Sequence, residues 1–292
     1  MLEQVFNKLD MPQEVREIVA NMREKHGELP DLQDMLFDSD ISEEALVKSM
    51  RQRANDLNEH EYTFALYLLL ISAERLRKQY KIQGISDEIF WDSLMDIKYK
   101  LRECKELHNI WGTFVFGWFP GFYRMARFAL GRFQYDLCKY WWQTPYKYGY
   151  KVIEKDSPVL STHIPSSGVP ITKDLRIESY KKAYEFTTEM KGYRPLAIVC
   201  DTWLFYPEHR NFLPKGCNIL DFMNDFEIIE SVETEGFPDD WRIFGAASKL
   251  PPDQWPTGTS LQRAFAERVR AGLPTGIGRG ILIFDGEKIV NG

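Results

Sequence analysis

The sequence predicts an α+β chain: an all-α N-terminal region, residues 1–108, followed by a mixed-sheet α/β domain, residues 109–292. Three observations predict it. Up to His108, apolar residues recur at three- and four-residue spacing, the period of a helix. From Gly131 onward, β-branched and aromatic runs alternate with helical stretches in the order strand, strand, strand, helix, strand, helix, strand, strand. Between the two lies a change of texture: sixteen aromatics fall within the forty residues from Trp111 to Tyr150, with no Pro/Gly/Ser linker.

The helical elements come first. Pro12 suits the first turn of a helix to about His26, and Gly27 stops it. Val15, Ile18, Val19 and Met22 share its apolar face. Ser42 caps a helix through about Leu57. Asn58, with Glu61 three residues on, has capping-box spacing for a helix to about Tyr80. Its apolar run "FALYLLLI", Phe64 to Ile71, is too short to cross a bilayer and reads as buried helix. Ser86 opens a further helical stretch, with Phe90, Leu94, Ile97 and Leu101 on one stripe.

In the second part, "FPGFYRMARFALG" reads as a short helix closed by Gly131. "RFQYDLCKYWW", "YKYGYKVIEK" and "SPVLSTHI" read as three strands pairing antiparallel through short turns. "TKDLRIESYKKAYEFTTEM" is a helix with Tyr180, Ala183, Tyr184 and Thr187 on one face. As a crossover, it lets the buried strand "RPLAIVCDTWLFY" lie parallel to the third strand. "NILDFMND" reads as a short helix, "FEIIESVE" and "WRIFGAA" as strands, and "TSLQRAFAERVRAG" as a helix with Gly272 just past its end. "ILIFDGEKIVNG" reads as a terminal hairpin turning on Asp285-Gly286.

Composition bounds the function. A 44% hydrophobic fraction over 292 residues supplies ample core. A net charge of -6 argues against nonspecific nucleic-acid binding, which needs clustered cations. The four cysteines, Cys104, Cys138, Cys200 and Cys217, match neither a zinc pattern nor a disulfide scaffold, so no metal is expected. Nothing at the N-terminus reads as a secretory signal, and no run is long enough for a membrane span. The expected setting is a reducing cytoplasm. The sequence leaves oligomeric state open.

One stretch carries an anion-site pattern. "THIPSSGVPITKD", Thr162 to Asp174, lies between a strand and a helix. Its "PSSGVPI" portion covers that helix's N-terminus, where free N–H groups and the positive dipole end favour an anion. Ser166 and Ser167 add hydroxyls, and Gly168 permits close backbone approach. The same residues are also ordinary turn formers. "TGIGRGILIF" holds Gly276, Gly278 and Gly280, but it follows a helix and opens a strand. It is therefore no dinucleotide fingerprint and reads as a flexible lead into the hairpin. In "KYWWQ", adjacent Trp141 and Trp142 fall on opposite faces of a strand.

The element order after Gly131 resembles the GNAT N-acyltransferase fold. The whole chain resembles a bacterial family that joins a helical N-acyltransferase N-terminal domain to a GNAT-like C-terminal domain. "GWFPGFYRMARFALGRFQYDL", "THIPSSGVPI", "WLFYPEHRNFLP", "NILDFMNDFEIIES" and "TSLQRAF" carry that resemblance. It implies an acyl-CoA-dependent N-acyltransferase, with acyl-CoA (acetyl-CoA by default) as co-substrate and a small-molecule or peptide amine as acceptor. It places the pyrophosphate on Ser166, Ser167, Gly168 and Val169, and the thioester carbonyl on backbone N–H near Cys200. Standard GNAT turns carry Q/R-x-x-G-x-G/A; this one has a single glycine, Gly168, and no Gln or Arg at its start. In this reading, acyl-CoA enters where "CDTWLFYPEHR" splays from "VLSTHI". His163, His209 and Glu208 are the candidate bases, with Asp201 and Tyr206 also near the strand ends. A Cys200 facing His163 suits a covalent acyl route, although Cys200 equally suits a buried core position. A non-catalytic acyl-CoA-binding or regulatory protein, and a carbohydrate-binding protein suggested by the Trp and Tyr density, remain alternatives.

Overall fold

A computed structural model describes residues 1–149, 151–191 and 195–291, without the side chains of Met190 and Lys191. Tyr150, Arg194 and Gly292, which fall within segments read above as strands, lie outside the described residues. The chain divides into two compact units. The first is Met1–Ala129 with Pro165–Ser167, and the second is Leu130–Ile164 with Gly168–Gly292.

The first unit is helical: α1 (Leu2–Lys8), α2 (Gln13–His26), α3 (Pro30–Phe37), α4 (Glu43–Asp56), α5 (Glu61–Ile82), α6 (Asp87–Leu94), α7 (Asp96–His108) and α8 (Pro120–Tyr123). The apolar run in α5 makes it the centre, with Phe64 through Leu70 all buried. Ser42 and Ser86 cap α4 and α6 as expected, accepting from Ala45 N and Ile89 N. Asn58 does not cap α5. It takes a left-handed φ of 54° and closes α4, with Glu59 N donating to Ala54 O at 2.9 Å. His60 supplies the α5 cap, its ring accepting from Tyr62 N.

The unit runs to Ala129 rather than to 108, because the first half of the aromatic block packs on these helices. Tyr123 Oη donates to Leu69 O at 2.6 Å, and Trp118 Nε1 to Asp96 Oδ2 at 2.9 Å. Arg124 donates to the carbonyls of Met35 and Leu36 near the C-terminus of α3. Gly112 lies against the Tyr62 backbone, where no Cβ would fit.

β1 (Arg127–Leu130) carries the chain across the division. The second unit holds β2 (Phe133–Lys139), β3 (Tyr146–Tyr148), β4 (Lys151–Ile153), β5 (Pro158–His163), α9 (Lys173–Lys191), β6 (Leu196–Thr202), α10 (His209–Phe212), α11 (Asn218–Met223), β7 (Glu227–Thr234), α12 (Trp241–Phe244), α13 (Ser260–Arg270) and β8 (Thr275–Phe284). Its strands order as β2-β5-β6-β8-β7. Among its described strand pairs, β5–β6 alone is parallel, as the α9 crossover dictates.

The expected three-strand meander does not form. β2 pairs directly with β5, from Gln134↔His163 to Lys139↔Pro158, while β3 and β4 make a separate two-stranded ribbon. The ribbon covers one sheet face, where Tyr140, Trp142, Tyr146, Val159, Val199, Ile281 and Ile283 form a core. Trp142 enters that core, while Trp141 stays 42% exposed. On the other face lies α9. Tyr135 Oη shares a hydrogen with Ser179 Oγ at 2.9 Å, and Tyr180 packs against Phe133 and Phe284. A buried ion pair secures α9: Arg176, 1% exposed, is clasped bidentately by Asp225, which also accepts from Tyr180 Oη at 3.0 Å.

Two further expectations are corrected. "WRIFGAA" is helical, comprising α12 and a 3-10 turn over Gly245–Lys249. Phe244 stacks on Trp255 at 4.2 Å, and Ile243 O accepts from Gln262 of α13, so tertiary contacts override β propensity. Gly276, Gly278 and Gly280 are not a flexible lead. They lie inside β8 and, two residues apart, on one face. The segment Trp203–Tyr206 packs onto that face: a Cβ on Gly278 would meet the Phe205 backbone, and one on Gly276 the Tyr206 ring. At the chain end, the Asp285 turn leads into a Phe284↔Ile289 bridge, and Val290 N donates to Ile283 O at 2.9 Å.

Candidate active site

The β5–β6 ladder has two rungs, Leu160↔Ile198 and Ser161↔Val199. Past them the strands stop pairing, so β5 ends in Thr162-His163 and β6 in Cys200-Asp201-Thr202. Both lips remain anchored on their outer sides, β5 to β2 and β6 to β8. The Cys200 thiol spans the start of the gap, donating to Thr162 O at 3.4 Å. Thr162 Oγ1 is buried and has no hydrogen-bond partner among the described residues.

His163 ends β5 with its side chain 30% exposed. Its Nε2 lies 2.9 Å from Asp136 Oδ2 on β2. Asp136 is no candidate on sequence grounds alone. The signal for it is the alternation in "RFQYDLCKYWW", which sets Phe133 and Tyr135 on the α9 face and Asp136 on the ribbon face. Extending the β5–β6 register by two rungs sets Asp201 opposite His163. Asp201 accepts from Arg279 Nε at 2.9 Å, and Arg279 also donates to Glu230 at 2.8 Å.

The other candidates separate clearly. Cys200 is 2% exposed, and burial, followed by the Asp201 charge, pushes its thiol up. A thiol that resists ionisation at neutral pH is a poor nucleophile, so the covalent route is corrected to a core role. His209 is 1% exposed. It sits among Trp203, Tyr206, Phe212 and Phe265, with Nδ1 3.2 Å from Leu204 O. Burial lowers its pKa to about 4, opposed by the Leu204 bond and reinforced by the Arg268 charge. Such a ring is too weak a base for an ammonium and too enclosed to meet one, so His209 too is corrected to a structural role. Glu208 is exposed and accepts from Asn211 Nδ2 at 2.9 Å. Tyr206 is buried, with its hydroxyl on Glu233 at 3.2 Å.

The turn before α9 spans both units in its numbering: Ser166 and Ser167 count with the first, Gly168 and Val169 with the second. Gly168 has a φ of 79° with open space around its Cα, so backbone conformation fixes it as glycine. Val169 is 46% exposed. Ser166 Oγ donates to Glu103, whose carboxylate also pairs with Lys100 at 3.0 Å, so that hydroxyl hydrogen is committed to a carboxylate. Among the described residues, no group of three or more His, Cys, Asp or Glu side chains could hold a metal, and no helix is long and apolar enough to cross a membrane. All four cysteines are free thiols.

A splayed parallel pair at the centre of an otherwise antiparallel sheet, with a crossover helix opening beside it, defines the GNAT class of acyltransferase folds. The family model of the GNAT-like C-terminal domain matches residues 128–282, and that of the N-acyltransferase N-terminal domain matches residues 1–125. The chain belongs to this family and is an acyltransferase. Solved structures agree in fold. An acyltransferase in complex with decanoyl-CoA and teicoplanin superposes with a TM-score of 0.74 at 19% identity, covering 97% of this chain and 87% of that one. A mutant acyltransferase in complex with octanoyl-CoA gives 0.74 at 20%, with the same coverage. An acyltransferase in complex with decanoyl-CoA gives 0.67 at 18%, covering 97% of this chain and 99% of that one. No curated protein matches this chain.

Proposed function

We propose that this acyltransferase moves an acyl group from acyl-CoA to the amine of a small molecule or peptide, with His163 as the base. The observation that carries the reading is the two-rung β5–β6 ladder with His163 at its open lip. In this scheme the thioester lies in the splay, its carbonyl oxygen accepting from backbone N–H near Cys200. The pyrophosphate lies on the turn Ser166, Ser167, Gly168 and Val169, where the backbone N–H groups before α9 and its dipole favour an anion. With the Ser166 hydroxyl turned to Glu103, main-chain donors carry that role.

The acceptor arrives as an ammonium. His163 takes its proton, the nitrogen lone pair attacks the thioester carbon, and the C–N bond forms as the C–S bond breaks. The thiolate leaves with the electron pair and takes up, directly or through water, the second proton that the nitrogen sheds as the amide forms, while His163 returns the first proton to solvent. Acetyl-CoA is the default donor of this scheme. The decanoyl- and octanoyl-CoA bound by the similar structures favour a medium chain, and the teicoplanin bound by one of them favours a bulky acceptor. The free thiols suit a reducing cytoplasm.

The test pairs binding with turnover. Octanoyl- or decanoyl-CoA should raise the melting temperature, and an amine panel that includes teicoplanin should release free CoA thiol and form an amide visible by mass. Absence of a melting shift with acetyl-, octanoyl- and decanoyl-CoA alike would remove the cofactor assignment.

A further inference from the structure

We infer that Asp136 is the positioning residue of His163, an inference that rests on the base role proposed above. Asp136 lies opposite Ser161 in the β2–β5 ladder, and His163 is two residues past Ser161 on the same strand. The two side chains are therefore diagonal neighbours on one sheet face, within reach of each other. Their 2.9 Å contact runs from Nε2 to Oδ2. Six consecutive ladder pairs from Gln134 to Lys139 fix that approach, so the carboxylate meets the ring at a set angle.

A carboxylate accepts and does not donate. The contact therefore places the neutral ring's hydrogen on Nε2 and its lone pair on Nδ1, the nitrogen that receives the ammonium proton. Once Nδ1 is protonated, the imidazolium faces a fixed negative charge. The side chains are 30% and 23% exposed, so water screens the pair only in part. The Asp136 charge is also felt two residues along its strand, where, after burial, it helps push the Cys138 thiol up to about 12. The other charged groups on the described strand ends are Asp201, turned to Arg279, and Glu230 beyond it. A purely structural strand-to-strand bridge would fix the same tautomer but leave kcat unchanged when the carboxylate is lost, whereas a positioning role ties kcat to it.

The experiment is ¹⁵N NMR of the full chain labelled at histidine, with the His163→Ala spectrum assigning the His163 signals. In the wild type, Nε2 should be of the protonated type and Nδ1 of the lone-pair type. In Asp136→Asn, the amide can donate to Nε2 and invert the tautomer. Octanoyl-CoA turnover with the best acceptor of the amine panel should then fall by about a hundredfold or more in kcat, with KM for octanoyl-CoA within about twofold. Asp136→Glu should restore part of the rate. A wild-type ring protonated on Nδ1 overturns the inference without any variant, so a misfolded Asp136→Asn does not shield it. An Asp136→Asn enzyme with wild-type kcat overturns it while an inactive His163→Ala leaves the base role standing. Full activity in His163→Ala removes both.

Discussion

The two lips of the splay each lead to a histidine, and the two could hardly differ more. His163 stands half-exposed at a strand end with a carboxylate on one nitrogen. His209 is sealed among four aromatic rings with a carbonyl on one nitrogen. The contrast arises from the path of the chain beyond each strand. After β5 the chain leaves the sheet through an exposed turn. After β6 it folds back as Trp203–Phe205 onto the bare glycine face of β8, carrying His209 into an apolar pocket. One residue type thus meets water and a carboxylate at one strand end and an apolar pocket near the other, as its surroundings dictate.

The largest expected effect separates the two rings directly. His163→Ala should lower acyl transfer by about 10²- to 10⁴-fold, the usual worth of a general base, and leave urea stability within about 0.5 kcal/mol. His209→Ala should do the reverse, costing about 3 kcal/mol through a cavity while activity per folded molecule persists. Paired turnover and urea titrations check both, and equal kinetic losses in the two variants would dissolve the contrast.

A pH series sharpens the same comparison. His209 is buried neutral, with its pKa depressed to about 4 from an ordinary value of 6.5. Above about 6.5 the folded and unfolded states are both neutral there, and its stabilising contribution is complete. As pH falls from about 6.5 to about 4, the unfolded chain gains a proton that the folded ring refuses, and stability drops. Below that range the folded ring protonates too and the loss levels off, at roughly 3 kcal/mol. Urea midpoints between pH 7.5 and 4 should show this slope in the wild type, and His209→Phe should flatten it.

The smallest effect concerns the anchor of the second lip. Gly278→Ala places a methyl against the Phe205 backbone, so either β8 or the 203–206 segment must shift. Overpacking of this kind costs about 1–3 kcal/mol. Thermal unfolding measures that loss. A neutral result would mean the glycine row is permissive rather than required.

Much of this was legible because local chemistry and the final fold agree. Ser42 and Ser86 cap the helices they precede, Thr259 and Gln262 form a full capping box on α13, and Gly27 and Gly272 stand just past helix ends with positive φ. The crossover at α9 fixed a parallel pair, and with it the position of the splay. The features that escaped depend on contacts distant in sequence. Nothing in "HRNF" announces that Phe265, more than fifty residues on, will cover His209. "WRIFGAA" has strand-like composition, but its conformation is set by Trp255 and Gln262. Asp136 became a partner of His163 only because β2 skips the ribbon and pairs with β5, a choice that the equally strand-like "YKYGYKVIEK" conceals.

A sheet ordinarily has two borders, and both face outward. The two-rung β5–β6 ladder gives this one a third, inside the sheet. Thr162-His163 and Cys200-Thr202 form it, bounded on either side by intact strands. It is too short to recruit a neighbouring chain into aggregation, yet it presents main-chain groups that an extended molecule carrying amides of its own could match rung for rung.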